Sequence, residues 1–273
     1  MAFEHQGAGA LDYFPCRYGK SKLLFRGPRR NLDQTFCAAL GGTETYGKFI
    51  QKPWPALVEQ RIGVPTINLG YLNAGTDVFV NEPEITEACS KAAVTVVQLM
   101  GAQNMSNRFY AVHPRRNDRF LRASSMMQAV FREVDFTEFN FTRHMLHALA
   151  DRTPDKFALV VDELRAAWVA RMKMLLEKIE GKVILLWLGD HRAPGSRDRL
   201  GPDPLLVDQA MVDELRPLAA ELVRVEPSAA ARAAGTAGMH FAAMEEPAAA
   251  GMPGPMVHQE VAEAITPVMQ RLI

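Results

Sequence analysis

Short, mostly apolar runs alternate along this chain with longer segments whose apolar residues recur every three or four positions. The short runs predict five strands, at Phe36–Leu40, Val64–Leu69, Val94–Met100, Lys182–Leu188 and Glu221–Val225. Runs of this kind are typical of strands that are buried on both faces of a parallel sheet. We therefore predict an α/β fold, a three-layer α/β/α sandwich of flavodoxin-like type with a mostly parallel sheet of about five strands.

The segments between these strands carry the spacing and the terminal residues of helices. The first follows Pro53 and ends at Gly63, as expected for a helix that starts with proline and stops at glycine. Comparable patterns predict a helix that starts at Glu82-Pro83-Glu84 and helices over Leu205–Leu218 and about Val257–Leu272. This alternation indicates parallel strands that are joined by crossover helices.

The chain divides into an arm and one domain. Residues 1–33 form a basic N-terminal arm, which is either a solvated surface segment or a contact for an anionic partner. Residues 34–273 form a single domain, with an insertion of mainly helical pattern at about 105–180. No linker-like stretch brackets the insertion, so we expect it to shape access to a site at the sheet edge.

Composition and charge narrow the function classes. The 273 residues are 48% hydrophobic and 23% charged, which excludes a disordered or collagen-like chain. With 31 basic and 31 acidic residues the net charge is zero, so we expect neither a nucleic-acid nor a membrane partner. The three cysteines have no metal-site spacing, and no apolar run is long enough to span a membrane. These features favour a cytoplasmic protein.

Candidate chemistry follows the predicted strands. Gly41–Gly47, of sequence Gly-Gly-Thr-Glu-Thr-Tyr-Gly, leaves the first strand and turns sharply toward a helix. Sites of α/β sheets lie at such strand ends. The turn offers two hydroxyls, Thr43 and Thr45, and the sequence leaves open which one faces the site. His258 heads the last helix, and the amides Gln103 and Asn104 follow the third strand.

These residues resemble the motifs of the SGNH, or GDSL, hydrolases, in which Gly-Asp-Ser-x-Thr-x-Gly follows the first strand and its Ser is the nucleophile. The resemblance implies an O-acyl ester hydrolase or acyltransferase with Thr43 as nucleophile and His258 as general base. It places the oxyanion hole after strands two and three, at Gly75, with Gly70 as the alternative, and at Asn104, with Gln103 as the alternative.

Three departures from that family weaken the catalytic interpretation. Threonine replaces serine, Gly42 replaces the motif aspartate, and Pro255 stands where the family places the triad aspartate. His258 then needs another orienting group, for which the candidates are Asp190, Glu245 and Glu246. The departures support an alternative, a catalytically inactive protein of the same fold that binds a saccharide or a small anionic ligand.

The whole-chain pattern, including Tyr13–Ser21, also resembles an uncharacterised bacterial family of unknown function (DUF6473-like). That resemblance implies the fold without fixing a reaction. No metal or organic cofactor is required by either function, and no Gly-x-Gly-x-x-Gly follows a strand to indicate a nucleotide binder. The expected partner is a small-molecule ester or saccharide, and the sequence leaves the oligomeric state open.

Overall fold

Seven strands form two sheets in the computed structural model, which describes residues 11–192 and 198–273. In chain order the strands are β1 (Cys37–Gly41), β2 (Thr66–Gly70), β3 (Thr95–Gln98), β4 (Tyr110–His113), β5 (Arg116–Ala123), β6 (Val183–Leu188) and β7 (Glu221–Val225). The main sheet has the order β2-β1-β3-β6-β7, and every neighbouring pair is parallel. Strands β4 and β5 form a separate antiparallel hairpin.

Helices cover both faces of the main sheet. They are α1 (Thr43–Tyr46), α2 (Trp54–Ile62), α3 (Thr76–Val80), α4 (Pro83–Lys91), α5 (Ser125–Val130), α6 (Thr142–Arg152), α7 (Pro154–Glu177), α8 (Gln209–Asp213), α9 (Ala229–Ala234), α10 (Glu246–Ala249) and α11 (Pro255–Leu272). In the two described ranges, none of the helices combines the length and the apolar character that crossing a membrane requires.

The sheet separates two hydrophobic cores, as the alternation of side chains along a strand requires. Along β1, Ala38 and Leu40 face the larger core, whereas Cys37 and Ala39 face the smaller one. The larger core includes buried residues of α3, α4, α7 and α8, and the smaller core includes those of α2, α9 and α11. The predicted three-layer α/β/α fold with a parallel five-stranded sheet is confirmed.

One predicted helix is much shorter than expected. The pattern over Leu205–Leu218 yields α8 and a single 3₁₀ turn at Arg216–Leu218. The side chain of Asp208 accepts the N–H of Met211 at 3.0 Å and so starts the helix late. Pro217 has no N–H to offer the carbonyl of Asp213, which explains why α8 stops there.

The insertion at about 105–180 contains a hairpin that its sequence pattern did not predict. Strands β4 and β5 precede α5, α6 and the 24-residue α7. Helix α7 buries Trp168, Met172 and Leu175 in the larger core, so it is one of the covering helices of the sheet. The hairpin is therefore the non-helical part of an insertion that was predicted to be mainly helical.

The described part of the predicted arm is anchored by a buried guanidinium. Residues 1–10 of that arm lie outside the described residues. Arg26 donates to four backbone carbonyls, those of Tyr46 (3.2 Å), Gly47 (2.6 Å), Ile50 (2.6 Å) and Gln51 (3.0 Å). Because these carbonyls belong to the last residue of α1 and to the segment that follows it, Arg26 fixes the turn that carries Thr43.

Arg26→Lys should lower the free energy of unfolding by about 2–4 kcal/mol, because one ammonium cannot satisfy four buried carbonyls. Urea denaturation followed by tryptophan fluorescence measures this loss. Arg29→Lys, at an exposed neighbouring position, is the matched control and should change stability by less than about 0.5 kcal/mol. Equal stability of both variants would contradict an anchoring role for Arg26.

Candidate functional site

The turn after β1 is shaped by the side chain of Gln98, the last residue of β3. Its Oε1 accepts the N–H of Gly42 at 3.2 Å and the hydroxyl proton of Thr45. Its Nε2 donates to the carboxylate of Glu44 at 3.0 Å. Thr45 is thereby fully buried, whereas Thr43 faces a pocket, so the structure decides between the two hydroxyls in favour of Thr43.

Gly41 is needed for this close approach. A Cβ at that position would lie 2.5 Å from Gln98 Oε1 and 2.4 Å from Thr45 Oγ1, so a larger residue would displace both groups. The turn after β1 therefore depends on glycine for space.

A pocket of about 340 Å³ opens at the carboxyl edge of the parallel sheet. Its walls come from the turn after β1, the loops after β2, β3 and β6, the β5 strand, the start of α6 and the segment before α11. The polar side chains of the lining are those of Thr43, Glu44, Asn73, Gln98, Gln103, Asn104, Asp118, Thr142, Arg143, His191 and Asp203. Amide and carboxylate side chains thus dominate its chemistry.

The hydroxyl of Thr43 is held by Asn73. It accepts the backbone N–H of Asn73 at 2.8 Å and lies 3.4 Å from Asn73 Oδ1, to which it donates. Asn73 has a left-handed backbone with φ 54°, a conformation that asparagine tolerates better than most residues. Its Nδ2 donates to Asp118 Oδ2 at 3.3 Å. Among the described residues, no imidazole and no carboxylate is hydrogen-bonded to Thr43.

His258 is placed differently from its expected position. It is 1% exposed and does not line the pocket, which the preceding segment reaches instead through Gly251 and Met252. Its Nδ1 accepts the N–H of Trp54 at 3.1 Å and so caps the start of α2, whose first N–H groups have no partner within the helix. The hydrogen bond between Thr43 and His258 that the catalytic hypothesis requires is not formed.

The ionisation of His258 follows from this burial. Loss of solvation, with Arg26 and His191 nearby, lowers the pKa of His258 to about 3. In the neutral ring, Nδ1 is occupied by the Trp54 N–H, so the proton is on Nε2. Nε2 is buried and has no partner in the described ranges. Neither ring nitrogen is therefore free to accept a proton from a substrate or nucleophile.

The three predicted orienting groups do not hydrogen-bond His258 either. Asp190 is held by Arg192, whose Nε lies 3.0 Å from its carboxylate. Burial raises the pKa of Asp190, but the bonds from Arg192 outweigh it and leave the pKa below its usual value. Glu245 accepts the N–H of Ala242 at 3.2 Å, and Glu246 is exposed at the start of α10.

Of the predicted oxyanion groups, Asn104 lines the pocket. The N–H groups of the two candidate glycines do not point into the pocket, because each donates to an asparagine side chain. The N–H of Gly75 donates to Asn117 Oδ1 at 3.1 Å, and that of Gly70 donates to Asn68 Oδ1 at 2.8 Å. Gly75 is required for space, since a Cβ there would lie 1.6 Å from the carbonyl oxygen of Asn104.

Asn104 and Gln103 both line the pocket. Asn104 Oδ1 accepts the hydroxyl proton of Thr142 at 2.8 Å, which leaves its Nδ2 without an acceptor among the described residues. Gln103 Oε1 is buried and likewise has no partner there. The structure therefore brings Thr43, Asn104 and the alternative Gln103 to one pocket, without His258.

Several pocket residues were missed by the sequence analysis. His191 is the third residue after β6, and its Nε2 lies 3.0 Å from the carbonyl oxygen of Gly251. Asp118 belongs to the unpredicted hairpin; burial raises its pKa, against the opposing effect of Arg116, and its Oδ1 has no described partner. Gln98 could have been found, because it is a polar residue within the apolar run that predicts the third strand.

A charged cluster forms the wall next to β6. Asp203 pairs with Arg192 at 3.2 Å and with Arg143 at 3.4 Å. Burial raises the pKa of Asp203 in spite of these two arginines. Within the described ranges, no group of three His, Cys, Asp or Glu side chains has the arrangement of a metal site.

Comparisons with known proteins identify a family and some similar folds. A family model described as "Domain of unknown function (DUF6473)" matches residues 1–273. No curated protein sequence matches significantly.

The similar solved structures include two from microbial communities and one from a biosynthetic pathway. A lipase from a goat rumen metagenome has 14% identity and a TM-score of 0.45, over 88% of this chain and 100% of its own. A gut microbial diltiazem-metabolizing enzyme has 8% identity and a TM-score of 0.46, over 86% of this chain and 47% of its own. A salicylyl-acyltransferase from a tetracycline biosynthetic pathway has 11% identity and a TM-score of 0.38, over 88% and 56%. Values this low leave the reaction of this chain to be inferred from its own residues.

His258→Asn should reduce the loss of stability at acidic pH. The folded protein keeps His258 neutral down to pH about 3, whereas the unfolded chain binds a proton below about pH 6.5. Wild-type stability therefore falls as the pH falls below about 6.5, and His258 accounts for about 2 kcal/mol of this loss between pH 7.5 and 5.

An asparagine at position 258 does not titrate between pH 7.5 and 5, and its side-chain oxygen can still accept the Trp54 N–H. Chemical denaturation at pH 7.5 and 5 measures the difference between the two proteins. The same loss in wild type and variant would show that His258 is protonated in the folded protein.

Proposed function

The chain belongs to the DUF6473 family, and from its pocket we propose that it binds a ligand of the saccharide class through an uncharged, hydroxyl-rich sugar unit. The pocket lies at the carboxyl edge of a parallel sheet, where α/β folds hold their ligands. Its volume of about 340 Å³ is at the lower end of the range for small-molecule sites.

The observation that carries the proposal is that the pocket residues have unused donors and unused acceptors together. Asn104 Nδ2 is a donor without an acceptor, and Glu44 Oε1 is an acceptor without a donor among the described residues. The Nδ1 of His191 is a further acceptor, since its Nε2 faces a carbonyl oxygen and carries the proton. A ligand hydroxyl both donates and accepts, so a saccharide can satisfy both kinds of group.

The charges of the lining favour an uncharged group over an anionic one inside the pocket. Glu44, Asp118 and Asp203 contribute carboxylates, and Arg143 is the one arginine or lysine of the described lining. Arg143 is already paired with Asp198 and Asp203, each at 3.4 Å. An anion inside the pocket would also offer no donors to the unpartnered acceptors. Of the two ligand classes that the sequence suggested, the saccharide is therefore the one we propose.

In this proposal Thr43 is a binding group. Its hydroxyl is positioned by Asn73, and no base contacts it in the described structure. A threonine without a base is a weak nucleophile, and its β-methyl group restricts rotation. The same hydroxyl can still form a hydrogen bond with a ligand, and this does not require a base.

Hydrolysis or transfer of an O-acyl ester by an SGNH-type site is the second candidate. Its support is that Thr43 and the free Asn104 Nδ2 share one pocket, in the places of a nucleophile and an oxyanion donor. The imidazole that lines this pocket is that of His191 rather than His258. An esterase mechanism would therefore use His191 as the base.

Asn104→Asp should weaken saccharide binding by about 5- to 150-fold. The substitution keeps the oxygen that accepts from Thr142 and removes the free Nδ2 donor, whose loss costs about 1–3 kcal/mol. Calorimetric titration with a panel of neutral mono- and disaccharides measures the affinity. Asn140→Asp, an exposed position outside the pocket lining, adds the same charge and should leave affinity unchanged. Absence of binding to every neutral saccharide would overturn the proposal.

Hydrolysis of short-chain p-nitrophenyl esters separates the two candidates. If the pocket only binds, wild type, Thr43→Ala and His191→Ala should show the same background rate. A wild-type rate at least tenfold above both variants would establish the esterase candidate, because loss of a nucleophile or its base lowers the rate by orders of magnitude. Thr43→Ser, which relieves the crowding at the hydroxyl, would then be faster than wild type.

A further inference from the structure

The β4–β5 hairpin carries four arginines without ion-pair partners. They are Arg115, Arg116, Arg119 and Arg122, and none of them lies within 4.0 Å of a carboxylate oxygen in the described ranges, although many other arginines and lysines are paired. The chain as a whole has no excess of basic residues. The hairpin therefore concentrates unpaired positive charge beside the pocket wall that Asp118 forms.

Arg119 is the member of this group that contacts a residue of the pocket lining, Phe141. Strand β5 runs beside the segment that precedes α6, with a bridge between Arg119 and Phe141 and a hydrogen bond of 3.1 Å from the Phe120 N–H to the Asn140 carbonyl. The guanidinium carbon of Arg119 lies 4.9 Å from the centre of the Phe141 ring. Phe141 lines the pocket and is 43% exposed.

The donors of this guanidinium are unused. Arg119 Nε is buried and has no hydrogen-bond partner in the described structure. A buried donor without an acceptor is costly, and such groups are rare unless a ligand or water completes them. The cation–π contact with Phe141 restrains the guanidinium, whose terminal N–H groups also make no hydrogen bond in the described structure.

A planar fork of N–H donors matches the two oxygens of a carboxylate. The pocket itself disfavours anions because its lining has three carboxylates and one paired arginine. An anionic group therefore fits at Arg119 and Phe141, at the mouth, while an uncharged part of the same ligand enters the pocket. The exposed Phe141 ring offers a stacking surface between the two places.

We infer that Arg119 binds a carboxylate of the ligand, which makes the ligand an acidic oligosaccharide. One uncharged sugar unit occupies the pocket, and a neighbouring uronate unit lies against Arg119. This inference rests on the proposed saccharide function and adds the class of saccharide. Arg116, the first residue of β5, adds long-range attraction for the same anion.

The test compares acidic trisaccharides with uncharged copies of the same skeleton. The probes are trisaccharides of two neutral hexose units and one galacturonate, glucuronate or mannuronate unit, each as the free acid and as the methyl ester, titrated calorimetrically against the full chain in 50 mM NaCl. At least one acid should bind tenfold more tightly than its ester. Arg119→Gln should abolish that difference and leave the ester affinity unchanged, and Arg119→Lys should restore only part of it.

Arg122→Gln is the control, since it removes one exposed charge from the same strand and should change affinity less than threefold. Equal losses in Arg119→Gln and Arg122→Gln would overturn the inference in favour of diffuse attraction. Esters that bind as tightly as their acids would overturn it and leave the saccharide function intact. Failure of all acids and all esters to bind would overturn both. If Arg119→Gln does not fold by circular dichroism, Arg119→Lys decides the same question.

Discussion

The side-chain amide of Gln98 is the interaction on which the arrangement of the pocket depends. It ends the central strand β3 and satisfies two buried groups of the turn after β1, the Gly42 N–H and the Thr45 hydroxyl. Both would otherwise be buried without partners, at a cost of about 1–3 kcal/mol each. Because an amide also donates, the same side chain holds Glu44 toward the pocket. One residue thus determines which threonine is buried and which is available.

The parallel sheet could be predicted from the sequence because its strands are buried on both faces. An apolar run such as the one that forms β6 has few alternatives to a central strand, and its observed start differs from the predicted one by a single residue. The hairpin could not be predicted in this way. Strand β5 has the sequence Arg-Asn-Asp-Arg-Phe-Leu-Arg-Ala, in which burial follows its contacts with neighbouring loops more than an apolar period.

Only the residues of the candidate site that closely follow a strand could be predicted from the sequence. Thr43 and Asn104 follow β1 and β3 at short distance, so the topology of the sheet brings them together without further information. His258 lies in a helix, where a shift of a few residues changes the face on which a side chain points. The ring of His258 accepts the N–H of Trp54 at the start of α2. No sequence feature near His258 indicates that the first N–H groups of that helix need an acceptor.

The separate hairpin has a consequence for how proteins of this kind can diverge. Asp118 and Arg119 come from a segment that contributes no strand to the parallel sheet. Substitutions there change the groups presented to a ligand while the register of the five central strands stays the same. Because Tyr110, Val112 and Phe120 of the hairpin belong to the larger core, a new specificity can arise with little loss of packing only at half-buried positions such as Asp118 and Arg119.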